Sequence, residues 1–206
     1  MNKKIKWKTI ETVSLDLLIA IICIITIIFT IKILFGKQIN QAIGYVDLFS
    51  INTSNKMVKN IKYDEEKQVI VSYPEYGARY GNIKIDSLDL HLPLYYGDKL
   101  SILRNGVGQS SGAYFPGEGG SIICMGHNSK TFLYHLPEIN VDDIIEINTT
   151  YGDFKYRVFD TKVIDMNDID ELEIQKNNEI LMLYTCYPVN TFGDKKDRFI
   201  VYAIRE

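Results

Sequence analysis

The chain opens on one apolar block and then settles into short alternating runs. No charged residue occurs from Leu17 to Ile31, and after Lys32 the apolar character resumes through Ile33, Leu34 and Phe35. This stretch, 17–35, approaches the ~20 residues an α-helix needs to cross a bilayer. Lys32 near its outer end can snorkel to the interface. Farther along, runs of period two recur: Gln68–Tyr73, Gly81–Ile85, Leu88–Leu94, Ser121–Gly126, Asp143–Asn148, Phe154–Ile164, Ile180–Cys186 and Arg198–Ile204. Turn signals separate them at Tyr96-Gly97-Asp98, at Gly117-Glu118-Gly119-Gly120 and at Tyr151-Gly152-Asp153. Helical pattern is confined to short pieces near Lys99–Asn105 and Lys130–Leu136. About eight short strands in one domain predict an all-β fold, a closed barrel or a sandwich.

The predicted organisation is a cytoplasmic segment 1–16, a transmembrane signal anchor 17–35, an extracellular stalk 36–66 and a β-barrel domain 67–206. Lys3, Lys4, Lys6 and Lys8 precede the apolar span, so the positive-inside tendency keeps the N-terminus in the cytoplasm and sends the domain outside. The alternative is a cleaved signal peptide, for which the apolar region is long and no clear small-x-small site follows. The stalk is polar, with room for one short helix around Gln38–Phe49; its alternative is partial packing against the domain.

Composition sharpens this in two ways. The 14 tyrosines and many isoleucines and valines favour strands. The net charge of −3 divides into +3 over residues 1–36 and −6 over the rest, which gives no support to nucleic-acid binding.

Three cysteines cannot all pair. Cys23 lies in the apolar block, and Cys124 in the run Ile122-Ile123-Cys124-Met125 reads as a buried strand thiol. A Cys124–Cys186 disulfide is the competing reading. No Cys/His spacing suggests zinc.

Side chains alternate faces along a strand. Cys186 therefore goes with Tyr184 and Met182, and Arg198 with Ile200 and Tyr202. His127 goes with Met125 and Ile123, away from Cys124. Such a pattern fits a packed barrel with an apolar groove on its outside. A thiolate is the reactive form of cysteine, and an imidazole can take its proton. An arginine can donate to an oxyanion. Each residue also has an ordinary reading: core thiol, loop histidine, surface arginine. His91 and His135 compete with His127 for the role of base.

The segments Gly126-His127-Asn128, Leu183-Tyr184-Thr185-Cys186 and Asp197-Arg198-Phe199, in that order, resemble the sortase family, as does the gap of 12 residues from Cys186 to Arg198. Gly81–Ile85 and Leu92–Gly97 resemble the start of the family's domain, so the likeness spans about residues 75–206. Met182 stands where the family has threonine, and Asp86 where it has proline. The resemblance implies an eight-stranded β-barrel and a membrane-anchored cysteine transpeptidase acting on LPxTG-like sorting signals. It implies Cys186 as nucleophile, His127 as acid and base, and Arg198 as partner of the oxyanion or the bound peptide. Thr185, Tyr187 and Ile200 would line the substrate groove. The acceptor would be a cell-wall precursor or pilin amine. The N-terminal anchor and the short gap between Asp165 and Glu179 look most like class D, with class A as the alternative. No cofactor is implied. The acidic run Asn167–Glu173 raises calcium, but it lacks EF-hand spacing and reads better as a solvated loop. A hydrolase with the same residues, and a domain that only binds a partner, are the competing functions.

Overall fold

A computed structural model describes residues 17, 19–31, 33–34, 56–189 and 195–206. The chain divides into two compact units, 1–46 and 47–206.

In the first unit, Leu17, residues 19–31 and residues 33–34 are helical, with their apolar side chains exposed. The hydroxyls of Thr26 and Thr30 donate to the helix's own carbonyls, of Cys23 at 2.8 Å and Thr26 at 2.7 Å. Among the described residues no helix is long and apolar enough to cross a membrane. The expected cytoplasmic segment, most of the stalk and the short helix near Gln38–Phe49 lie outside the described residues.

The second unit begins with a hairpin, β1 (Lys62–Asp64) against β2 (Val69–Ser72). Eight further strands close a barrel: β3 (Arg79–Ile85), β4 (Leu90–Tyr96), β5 (Val107–Gln109), β6 (Ser121–Gly126), β7 (Ile144–Thr149), β8 (Asp153–Asp165), β9 (Ile180–Tyr187) and β10 (Asp197–Arg205). Their order around the barrel is β10-β8-β7-β3-β4-β5-β6-β9, and β9 pairs with β10 to close it. The pairs β4–β5 and β6–β9 are parallel and the rest antiparallel.

Eight strands in a closed barrel is the predicted architecture, but the membership differs from the sequence reading. The run near Gln68–Tyr73 forms the separate hairpin, and the eighth barrel strand is β5. That strand has only the residues Val107-Gly108-Gln109, too short to show an alternation. Its glycine is required, because a Cβ at Gly108 would meet the Gly97 carbonyl oxygen at 2.3 Å. The segment read as the end of the stalk also folds onto the domain. Ile61 is buried in the core, and Val58 and Tyr63 pack against it.

Two apolar clusters result. The inner one fills the barrel with Ile83, Leu94, Ile122, Cys124, Ile145, Ile147, Tyr156, Leu181, Leu183 and Val201. The outer one holds Ala113, Ile123, Ile164, Met182 and Ile200, with Leu172, Tyr184 and Tyr202 packed on it. Strand β8 shows how the second arises. Phe154, Tyr156 and Val158 point inward, but the register with β10 slips between Tyr202 and Ala203, leaving Phe159 as an extra residue. A one-residue bulge inverts the facing of everything beyond it. Ile164 therefore turns outward and joins Ile200.

The loop leading into β6 is held by two buried carboxylates. Glu179 accepts from the backbone N–H of Gly117 and Gly119, from the Tyr156 hydroxyl and from Arg205. Glu118 accepts from the N–H of Ile70 and Phe115 and from the Tyr73 hydroxyl. Buried charges persist only when satisfied in this way.

Candidate active site

Cys186 lies near the end of β9, where the strand register brings the candidate residues to one place. Across the antiparallel pair, Arg198 of β10 is the direct partner of Cys186. Across the parallel pair, Gly126 of β6 is the partner of Thr185. His127 follows Gly126 and so emerges beside Cys186. The Asn128 side-chain amide then donates to the Cys186 carbonyl at 3.1 Å, tying the histidine loop to the cysteine's backbone. A Cβ at Gly126 would meet Leu133 Cδ1 at 2.9 Å, so a larger residue here would have to displace that side chain. Leu133 in turn donates its N–H to the His127 carbonyl at 2.9 Å and closes the loop.

Strand facing sorts the cysteines as the alternation predicts. Tyr184 and Met182, on the Cys186 side of β9, belong to the outer cluster, whereas Leu181 and Leu183 belong to the inner one. Cys124 is in the inner cluster, where burial pushes its thiol up to about 12. All three cysteines are free thiols, and a Cys124–Cys186 disulfide is absent because the two side chains take opposite faces of the sheet. Cys186 is half-buried and reachable.

His127 is half-buried beside Phe132, with ring centroids 6.3 Å apart. Burial, with a smaller contribution from the Arg104 guanidinium, lowers its pKa below the ordinary imidazole range. Both effects disfavour the imidazolium, burial by desolvating it and Arg104 by repelling it. Its Nε2 is shielded from solvent and has no hydrogen-bond partner. The competing histidines are elsewhere: His91 is exposed on β4 opposite Lys84, and His135 is exposed with Nδ1 2.8 Å from Glu138.

The Arg198 guanidinium is oriented by its own neighbourhood, since Nη1 donates to the carbonyls of Lys195 at 3.0 Å and Asp197 at 2.8 Å. Its charge opposes the rise that burial gives the Tyr184 pKa. Burial raises the Tyr184 pKa overall, and the hydroxyl sits 3.2 Å from the Met125 sulfur.

The three residues expected to line the groove take separate positions around Cys186. Thr185 turns inward, is 1% exposed, and donates its hydroxyl to the Gly126 carbonyl at 2.9 Å. Tyr187 packs on Phe199, with centroids 6.1 Å apart, and against the inner core. Ile200 is on the Cys186 side but only 1% exposed, under Leu172, Tyr184 and Tyr202. Leu172 arrives on a 3-10 turn, Ile169–Leu172, that the Tyr202 hydroxyl holds by donating to the Glu171 carbonyl at 3.2 Å. The sequence reading gave no role to Asn128, Arg104 or Lys195. Asn128 carried a signal, being adjacent to His127; Arg104 carried none.

No group of three or more His, Cys, Asp or Glu side chains among the described residues could hold a metal. In the acidic run, Asp165 accepts from Asn167, and Glu171 is engaged by Lys162 and Tyr202.

Residues 83–206 match the family model for the sortase domain. The chain is 32% identical over 142 residues to sortase D of Bacillus subtilis, covering 69% of this chain and 71% of that protein. It is similar in structure to a sortase D5 transpeptidase of Clostridium perfringens, with a TM-score of 0.59, 25% identity, and coverage of 65% and 82% of the two chains. A sortase C of Clostridium perfringens, solved with its C-terminal cell wall sorting motif, gives a TM-score of 0.58, 28% identity and coverage of 79% and 83%.

Proposed function

The chain belongs to the sortase family, is most like its class D members, and from that membership we propose that it is a cysteine transpeptidase using Cys186, His127 and Arg198. The observation that carries this is the double register at the end of β9. It sets Arg198 directly across from Cys186 on one side and delivers His127 on the other.

The substrate is the C-terminal sorting signal of a secreted protein, of LPxTG type. His127 takes the proton of the Cys186 thiol, and the thiolate attacks the threonine carbonyl carbon, forming a C–S bond and a tetrahedral oxyanion that Arg198 faces. As the C–N bond to glycine breaks, His127 gives a proton to the leaving nitrogen. The thioester remains on Cys186. An amine of a cell-wall precursor or pilin then attacks the same carbon and loses its proton to His127. The C–S bond breaks and the thiolate returns. Asn128 fixes the Cys186 backbone throughout, and the outer apolar cluster underlies the groove that receives the signal's Leu-Pro portion.

The N-terminal apolar helix anchors the enzyme in a membrane, with the catalytic domain outside, where secreted proteins arrive. Supporting this, its apolar side chains are exposed along the helix and both threonine hydroxyls are satisfied by its own carbonyls, as a lipid environment demands.

The test is incubation of the full chain with a panel of fluorogenic sorting-signal peptides, with and without triglycine. A peptide–triglycine ligation product that disappears in Cys186→Ala is expected. Cleavage without ligation would point to a hydrolase instead, and no turnover across the panel would leave a binding domain.

A further inference from the structure

The face of β9 that carries Cys186 runs into the outer apolar cluster, and that cluster is poor in hydrogen-bond donors. Its members Ala113, Ile123, Ile164, Met182 and Ile200 have none, and of the described hydrophobic side chains packed on it only Tyr184 and Tyr202 carry one. An extended peptide laid over such a surface loses water from its backbone carbonyls, and a carbonyl left unpaired there is costly. The Tyr202 hydroxyl is already engaged, since the Glu171 carbonyl oxygen and a Glu171 carboxylate oxygen each lie 3.2 Å from it. Tyr184 is the donor that remains.

Its hydroxyl is weakly committed. Tyr184 stands two residues before Cys186 on the same face of β9, in register with Met125 of β6 and Ile200 of β10. Among the described residues the hydroxyl has one hydrogen bond, to the Met125 sulfur at 3.2 Å. A thioether is a weak acceptor, so this bond is given up at little cost. Tyr184 is half-buried, while its neighbour Ile200 is almost fully covered, so the tyrosine is the part of this floor that a ligand meets. Spacing then selects the group it meets. Two residues of strand span roughly 6.6–6.8 Å, the length of two residues of an extended peptide. The scissile threonine carbonyl lies at Cys186, and the Leu-Pro portion runs over the cluster toward the start of β9. The carbonyl that reaches Tyr184 is therefore that of the proline. Proline has no N–H, so this carbonyl is the one backbone hydrogen-bonding group at that position.

We propose that Tyr184 is a substrate-binding residue whose hydroxyl leaves the Met125 sulfur and donates to the prolyl carbonyl of the sorting signal. The proposal deepens the transpeptidase reading and rests on it. The weak acceptor is exchanged for an amide carbonyl only when the signal is seated. Tyr184 therefore favours peptides that lie extended along β9, and it takes no part in the proton transfers of Cys186 and His127.

The experiment is steady-state ligation of an LPxTG-type peptide to triglycine by the full chain and two variants. Alkylation of Cys186 by iodoacetamide is read in parallel by mass. Tyr184→Phe keeps the ring and deletes the donor, and is expected to lower kcat/KM about tenfold, through KM, as the loss of one hydrogen bond would. Its Cys186 alkylation rate is expected to match the parent's. Met125→Leu removes the resting acceptor and is expected to leave KM within about twofold of the parent, because the bond it loses is weak. A Tyr184→Phe variant with the parent's KM would overturn the proposal. Equal losses in both variants would overturn it too, since the Tyr184–Met125 contact would then only shape the groove. So would alkylation slowed in step with ligation, which would mean that Tyr184 acts through the thiol. In all of these outcomes the parent chain still ligates. A parent that forms no triglycine adduct would instead overturn the transpeptidase reading.

Discussion

Replacing Thr185 with valine separates a strand clamp from a substrate contact. The threonine hydroxyl donates to the Gly126 carbonyl at 2.9 Å, and the side chain is 1% exposed. Valine keeps the shape and deletes the donor, leaving a buried carbonyl short of one partner. Such a loss costs about 1–3 kcal/mol. The bond joins β9 to β6 one residue before Cys186 and one before His127, so its removal loosens the alignment of thiol and imidazole. We expect Thr185→Val to lower unfolding stability by about 1–2 kcal/mol. We also expect kcat to fall about tenfold, as a loss of ~1.4 kcal/mol of transition-state alignment would give, with KM little changed. Thr185→Ser retains the hydroxyl and should recover most of kcat, despite a smaller stability loss from the missing methyl. Urea denaturation and steady-state ligation kinetics read the two effects. A valine variant as stable as the parent, but with a raised KM, would refute the clamp and restore Thr185 to the substrate groove.

Three further outcomes follow from the site and the scaffold. Removing the Arg104 charge in Arg104→Gln should raise the His127 pKa toward the ordinary ~6.5, measurable from the imidazole resonances by NMR; an unchanged titration would show that burial alone sets it. While that pKa stays depressed, the unfolded state binds more protons in mild acid, so domain stability should fall as pH drops from about 6.5 through the folded value, and His127→Gln should flatten that dependence. Glu179→Ala strands four donors, the Gly117 and Gly119 N–H groups in the loop before β6, the Tyr156 hydroxyl on β8 and Arg205 on β10, and should cost about 3–5 kcal/mol, seen as a large drop in urea midpoint.

Much of the fold is legible in the chain because β strands announce themselves by alternation. Seven of the eight barrel strands carried that signal. The eighth, β5, is three residues long and glycine-centred, and is a strand only because β4 and β6 hold it. Gln68–Tyr73 did alternate, but the pattern shows that a strand has two faces and says nothing of which sheet it joins. The facing of Cys186 was also legible, since parity from Leu181 to Cys186 survives in the split between inner and outer clusters. Parity likewise put Thr185 opposite Cys186, and the structure follows parity there rather than the motif neighbourhood. What the sequence hid depends on pairing between distant strands: the Asn128 amide reaching the Cys186 carbonyl and the Arg104 charge on His127. The bulge at Phe159 was hidden for the same reason, because only the register with β10 reveals the extra residue.

The most direct test of the central claim is to trap the covalent intermediate. The full chain is mixed with a sorting-signal peptide in the absence of an amine acceptor, quenched in acid and digested. The Cys186 peptide should carry the mass of the signal truncated after its threonine, lost on adding triglycine and never formed in Cys186→Ala. Turnover with no acyl group on Cys186, or ligation persisting in Cys186→Ala, would contradict the account.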